Sequence, residues 1–260
     1  MLKINVLFDT FWDDIVPEKR IAKVADCGYK YVETWLGGDA EQLKRVGNAC
    51  KENDIKLVSI VMNFATDDAV APVRSDCLNA FIERIDQYSD NALAAGCCSG
   101  IVTSGNFFDD MTQEQHKANL TTAMCKAGEL AAKKGFNLNL EPLNTLVDHA
   151  GYYLDCRQNA IDIVKDVALE NVKILYDLYH MEIMTGNQID FIRKNIDWIG
   201  HFHSAGAPGR HELFNGETNY PFILDAIEKT GYKGYFGLEY MPELESSESL
   251  RKTLNYLQGK

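Results

Sequence analysis

The sequence predicts a single closed (β/α)8 barrel, and three observations carry that prediction. Short β-rich runs alternate with helical patterns along the whole chain. There are eight such runs in 260 residues, about the length that one barrel of this kind needs. No linker, low-complexity segment or break in composition divides the chain, so residues 1–260 read as one domain. An open, doubly wound sheet is the rival architecture, but eight units in this length match a closed barrel better. Neither GxGxxG nor GxxxxGK[ST] follows the first run, which removes the sequence support for a nucleotide fold.

The predicted strands are "INVLFD" at 4–9, "YKYVETW" at 29–35, "IKLVSIVM" at 55–62 and "GIVTSG" at 100–105. "FNLNLE" at 136–141, "VKILYD" at 172–177, "IGHFHSAG" at 199–206 and "GYFGLEY" at 234–240 complete the set. Between them the helices carry their own punctuation. Pro17 opens "PEKRIAKVADCG" and Gly28 stops it. Thr112 stands three residues before Gln115, the spacing of a capping box, and that helix ends at Gly135. "YPFILDAIEKTG" ends in the same way at Gly231.

Composition narrows the function. With 26 basic and 38 acidic side chains the formal charge is −12, whereas a nucleic-acid binder builds a basic face for phosphates. A small neutral or metal-chelated substrate is easier to reconcile with that charge. No apolar run reaches the roughly 18 residues of a membrane span. The start, "MLKINVLFDTFWDD", lacks the basic and apolar regions of a signal peptide. Seven cysteines are an odd number without framework spacing, and Cys97 and Cys98 are adjacent. Reduced thiols in the cytoplasm are therefore expected.

Alternation along the strands selects the candidate site. In a barrel strand every second residue points inward. In "NLNLE", Asn137, Asn139 and Glu141 share one face, and Leu138 and Leu140 share the other. The leucines suit packing beneath helices, which turns Glu141 into the barrel at the C-terminal end of its strand. A carboxylate there is costly unless it is paired or bound to a metal. Asp177, His203 and Glu239 fall late in the sixth, seventh and eighth strands, spaced 36, 26 and 36 residues along the chain from Glu141. Four successive strands thus each bring one ligand-type side chain to the rim where barrel enzymes keep their chemistry. A set with mostly oxygen donors suits Mn²⁺ first, with Mg²⁺ and Co²⁺ as alternatives. His201 shares the parity of His203 and is expected one layer deeper, supporting it.

The strings "NLEPLN…DHAGYYL", "LYDLYHMEIMTGN", "PGRHEL…GETNYPFI" and "GYFGLEY" resemble the hydroxypyruvate isomerase family of xylose-isomerase-like TIM barrels. The resemblance covers most of the chain and is densest from Glu141 to Tyr240. It implies a divalent metal on Glu141, Asp177, His203 and Glu239, with Glu141 and Glu239 also acting as catalytic acid and base. It implies substrate contacts at His180 and Arg210, an acidic residue, Glu33, at the pocket edge, and a homo-oligomer. One residue departs from the pattern: hydroxypyruvate isomerases commonly carry Gln where this chain has His203, and ketose 3-epimerases carry His.

The chemistry these groups suit is proton transfer beside a carbonyl. Returning the proton to the neighbouring carbon gives an aldose–ketose type isomerisation of a small sugar or hydroxy-oxo acid, and this is the expected activity. Returning it to the same carbon from the other face gives epimerisation, of the D-tagatose or D-allulose 3-epimerase kind. A dehydratase or lyase begins with the same enolate. A sugar-binding protein without turnover would not need both glutamates, and a metal-dependent nuclease would need more histidines and a basic groove. The expected partners are a small molecule, no nucleic acid and no membrane.

Overall fold

The computed structural model describes residues 2–259, and its strands close into a parallel barrel in chain order, with the last strand pairing with the first. The strands are β1 (Lys3–Leu7), β2 (Tyr31–Thr34), β3 (Lys56–Val61), β4 (Ser99–Thr103), β5 (Asn137–Glu141), β6 (Val172–Asp177), β7 (Ile199–Ser204) and β8 (Tyr235–Leu238). The surrounding helices are α1 (Pro17–Asp26), α2 (Ala40–Glu52), α3 (Leu78–Ala94), α4 (Gln113–Lys133) and α5 (Arg157–Val167), followed by α6 (Leu178–Met184), α7 (Gln188–Asn195), α8 (Tyr220–Lys229) and α9 (Ser246–Leu257). Each predicted run overlaps one of the strands. The connection from β6 to β7 differs from the simple pattern by holding two helices, α6 and α7.

The expected punctuation is present. Pro17 opens α1, and Gly28, Gly135 and Gly231 take the left-handed backbone that ends a helix cheaply only for glycine. Thr112 Oγ1 accepts from the Gln115 N–H while the Gln115 side chain accepts from the Thr112 N–H, completing the capping box of α4. The cysteines are all free thiols.

Alternation decides what lies inside. Leu138, Leu140, Phe202 and Phe236 point outward and are fully buried beneath the helices. Each such side chain contributes about 1.5–3 kcal/mol. The inward faces carry a second, small apolar cluster of Val61, Ile101 and Leu175, with Trp35 against it. Between β6 and β7 the register slips between Ile174 and Leu175, after which Leu175 pairs with His201 and Asp177 with His203. That slip brings the ligand-type ends of β6 and β7 to one level. Thr103 pairs with Glu141 across β4 and β5. Glu239 lies one residue beyond β8, and its N–H still donates to Ser204 O at 3.0 Å, so it continues the strand.

Candidate active site

Glu141, Asp177, His180 and Glu239 meet at the C-terminal mouth, with one ligand-type atom of each within 4.8 Å of the others. All four are buried. Their positions follow from local structure. Tyr152 donates its hydroxyl proton to Glu141 O at 2.7 Å and accepts from Ser104 N–H at 2.7 Å, tying the end of β5 to that of β4. Asp177 caps α6 by accepting from Tyr179 N–H at 2.7 Å through Oδ1, and this leaves Oδ2 for the site. His180, on the first turn of α6, then faces Asp177 Oδ2 at 3.5 Å.

Glu239 is the most contacted of the four. Arg210 Nη2 donates to its Oε2 at 2.5 Å, Trp35 Nε1 donates to its Oε1 at 3.3 Å, and His203 Nδ1 lies 3.2 Å from Oε2. Trp35 is held in turn by Asp9, whose carboxylate accepts from the Trp35 N–H at 3.0 Å. Arg210 sits after Gly209 with a backbone φ of 60°, a left-handed conformation uncommon for a side-chain-bearing residue. That turn carries its guanidinium over the Tyr179 ring and into the site.

The histidines of β7 divide as their parity predicts. His203 spans two levels. Its Nδ1 faces Glu239 and, at 3.9 Å, Glu141 Oε1, while its Nε2 faces Glu33 Oε1 at 2.9 Å. His201 is one layer deeper, with Nε2 2.9 Å from the other oxygen of Glu33. Glu33 is therefore not at the pocket edge, where the resemblance put it. It lies beneath His203 and is 1% exposed, because β2 delivers it inward one layer below the rim. Gly237 makes room for this arrangement: a Cβ there would stand 2.5 Å from Glu33 Oε1 and 2.7 Å from the His203 ring.

The electrostatics are those of an acidic site short of positive charge. Burial pushes the Glu141 carboxyl well above the usual carboxylate range, and the Glu239 charge pushes it further. Asp177 is raised to about 6 by the same two causes. Burial also opposes ionisation of Glu239, but Arg210 and then His203 outweigh it and hold that carboxyl far below its ordinary value. Burial disfavours charge on His203, yet Glu33 and Glu239 hold its pKa well above the imidazole range. Burial, then Arg210, drives His180 well below it. Glu141 Oε1, Asp177 Oδ2 and His180 Nε2 are buried without a hydrogen-bond partner. Converging, unpartnered carboxylate oxygens are what a hard divalent cation requires, so the residues fit such an ion.

A cleft of about 240 Å³ opens over these groups. Its lining combines the polar Glu141, Glu239, His149 and Arg210 with the apolar Val61, Phe64, Ile101 and Leu143. A larger cavity of about 450 Å³ opens at the opposite mouth, among Lys56, Asn139, His201 and Tyr235, but none of the converging carboxylates reaches it. Trp35, Tyr152, Asn144 and His149 join the site without having been singled out in the sequence. Trp35 alone left a signal there, standing two residues after Glu33 at the same strand parity.

The chain is similar to known proteins over most of its length. The chain is 30% identical to the hydroxypyruvate isomerase of Escherichia coli K12 over 246 residues, which covers 89% of this chain and 90% of that protein. Among solved structures it superposes with a TM-score of 0.89 on a protein of Brucella melitensis described as an AP endonuclease of family 2, at 26% identity and covering 98% and 99% of the two chains. It also superposes on the D-allulose 3-epimerase of a Methylomonas species in complex with D-allulose, with a TM-score of 0.82. That match covers 99% and 96% of the chains at 19% identity, which shows shared fold alone. The xylose isomerase-like TIM barrel model matches residues 21–259, nearly the whole of the barrel just described, and the chain belongs to that family.

Proposed function

We propose that the protein is a divalent-metal-dependent isomerase of a short hydroxy-oxo acid, hydroxypyruvate in kind, moving a proton between adjacent carbons through an enediolate. The observation that carries this reading is the convergence of Glu141 and Glu239 on one buried cleft, with Asp177 and His203 between them and Arg210 on its wall. Glu141, Asp177, His203 and Glu239 would hold the ion, Mn²⁺ by preference. With Glu33 facing His203 Nε2 and keeping the proton on that nitrogen, Nδ1 is left as the ligating atom. A cation bound there supplies Lewis-acid polarisation of the substrate carbonyl.

The chain's own groups do the rest. One glutamate removes the proton beside the carbonyl and the other delivers it to the adjacent carbon. Positioned proton transfer of this kind contributes about 10²–10⁴-fold. Arg210 and His180 bring N–H donors to the oxygens on which negative charge develops. A planar guanidinium also matches a substrate carboxylate in two parallel hydrogen bonds. The apolar wall of Val61, Ile101 and Leu143 keeps water off the enediolate and offers no hydrogen bonds to a row of sugar hydroxyls. This favours a three- or four-carbon acid over a hexose.

A second reading, 3-epimerisation of a ketose, rests on His203, since the same two glutamates can work on opposite faces of one carbon. Nucleic acid suits neither the net charge of −12 nor the acidic mouth. Among the described residues no helix is long and apolar enough to cross a membrane. Cytoplasmic location and a homo-oligomer remain part of the proposal.

The test is incubation of ion-loaded protein in D₂O with hydroxypyruvate, its four-carbon homologue and a panel of ketoses. Interconversion of the acid with its aldehyde isomer is expected, with deuterium entering the former carbonyl carbon as it becomes the new carbinol. Rapid 3-epimerisation of a ketohexose without turnover of either acid would overturn the reading in favour of the second.

A further inference from the structure

We infer that Asn144 is a positioning residue that holds His180 as the tautomer protonated on Nε2, so that His180 meets substrate oxygen as a hydrogen-bond donor and is not a metal ligand. The inference rests on the proposed function for its consequence, but not for its geometry.

His180 poses a problem that distance alone does not solve. It falls within the converging group of four, whereas His203 makes its own cluster with Glu33 and His201. Proximity would therefore assign the imidazole ligand to His180. Its hydrogen bonding argues otherwise.

Asn144 lies three residues past Glu141 in the loop after β5 and is fully buried. Its Oδ1 accepts from Val147 N–H at 3.1 Å and from Asp148 N–H at 2.9 Å. Its Nδ2 donates to Asp148 Oδ2 at 2.6 Å. Two donors at one end and a carboxylate at the other settle which end of the amide is nitrogen. The same Nδ2 stands 2.7 Å from His180 Nδ1. An amide nitrogen only donates, so Nδ1 is the acceptor. A neutral imidazole with its acceptor on Nδ1 carries its proton on Nε2.

That Nε2 faces the carboxylates, 3.5 Å from Asp177 Oδ2, and has no hydrogen-bond partner of its own. An N–H there has no lone pair to give a cation. It is a donor aimed into the cleft, awaiting an oxygen. His149 packs edge-on against the ring at 5.3 Å. His203 has the opposite arrangement, with its Nε2 against Glu33 and its Nδ1 toward the site. His203 thus turns Nδ1 toward the mouth and His180 a protonated Nε2, and the difference is set by what stands behind each ring.

The experiment reads the tautomer directly. Protein labelled with ¹⁵N in its histidine rings and loaded with diamagnetic Mg²⁺ is examined by long-range ¹H–¹⁵N correlation, and His180 is assigned by the signal lost in His180→Gln. The expected result is a bare Nδ1 and a protonated Nε2, before and after Mg²⁺. Protonation of Nδ1 in the parent protein, or a Mg²⁺-induced change that marks Nε2 as a ligand, overturns the inference. Asn144→Asp offers Nδ1 only acceptors while preserving the oxygen that the loop N–H groups need. It should move the proton to Nδ1 and lower kcat at least tenfold with a smaller change in KM. Unchanged kcat with a flipped tautomer also overturns the inference. Because the spectrum needs no substrate, inactivity toward every acid tested with Nε2 still protonated sinks the proposed function and leaves the tautomer assignment supported.

Discussion

Glu33 and His203 stand 2.9 Å apart inside the barrel, one level below the rim, and the same carboxylate holds His201 with its other oxygen. If the Nδ1 of His203 binds the ion, Glu33 is what turns that nitrogen upward. Glu33→Gln should weaken Mn²⁺ binding about 10–100-fold, the usual cost of losing such a supporting group. Calorimetric titration measures it, and unchanged affinity would remove His203 from the ligand set.

Gly237 should be as sensitive as a ligand, although it carries no chemistry. A methyl group there would stand 2.5 Å from Glu33 Oε1, inside any normal contact. Gly237→Ala should cost about 1–3 kcal/mol of stability in a denaturant titration. Its ion affinity should fall in parallel, whereas an alanine at an exposed site would leave both alone.

The two glutamates and the deeper histidine should separate cleanly. Glu141→Gln and Glu239→Gln should each lower turnover about 10²–10⁴-fold, since each removes a proton-transfer group. His201→Ala should cost about 1–3 kcal/mol of stability by leaving one Glu33 oxygen unpartnered in the interior, with a smaller effect on kcat. Loss of turnover in His201→Ala with Glu141→Gln still active would invert the assignment.

Arg210→Lys tests substrate recognition. A point charge does not replace a planar fork, so kcat/KM for a carboxylate substrate should fall at least tenfold, about 1.4 kcal/mol. A neutral ketose should be affected less, and equal losses on both would show that Arg210 acts through Glu239 rather than on a carboxylate.

Stability of the ion-free protein should fall as pH rises from about 4 to 6. Burial raises Asp9 and Asp177 to about 6 in the folded state, above the ordinary Asp value of 3.8. A raised carboxyl pKa contributes stability below the unfolded value and loses it as pH rises through the folded one. For Asp9 the whole swing is on the order of 3 kcal/mol. Glu33, lowered to about 2 because its two histidines outweigh burial, acts only below this window, gaining stability as pH rises toward 4.5. Thermal melts at fixed ionic strength check the slope, and a rising melting temperature across the interval would contradict it. Divalent ion should flatten the slope, because it replaces the missing positive charge at Asp177.

The strands and the level of their ends were legible because a period of two survives any change of partner. Glu141, Asp177, His203 and Glu239 could be placed at one rim from alternation and spacing alone. Glu33, put at the pocket edge by resemblance, lies a layer deeper beneath His203, a depth that alternation along β2 does not give. Asn144 and Tyr152 were invisible, because each acts through a hydrogen bond made from a loop, and loops have no period. Arg210 was legible as a loop cation, but its bond to Glu239 joins residues 29 positions apart and depends on a turn whose shape the sequence does not declare.

The contacts of Glu33 also fix when the barrel can become a finished object. Its two partners lie near residue 200, so a ribosome makes well over half of the chain before either exists. Until then the carboxylate cannot enter a dry interior without a counter-charge, and water is its only company. The early strands must therefore wait, open and wet at that point, for β7 to arrive. Glu239, which depends on Trp35 and Arg210, closes the ring later still. Protein quality control in the cell would meet this chain for most of its synthesis as an unsealed sheet, and a nonsense codon after residue 33 and before residue 201 would release a product with a charge it cannot bury.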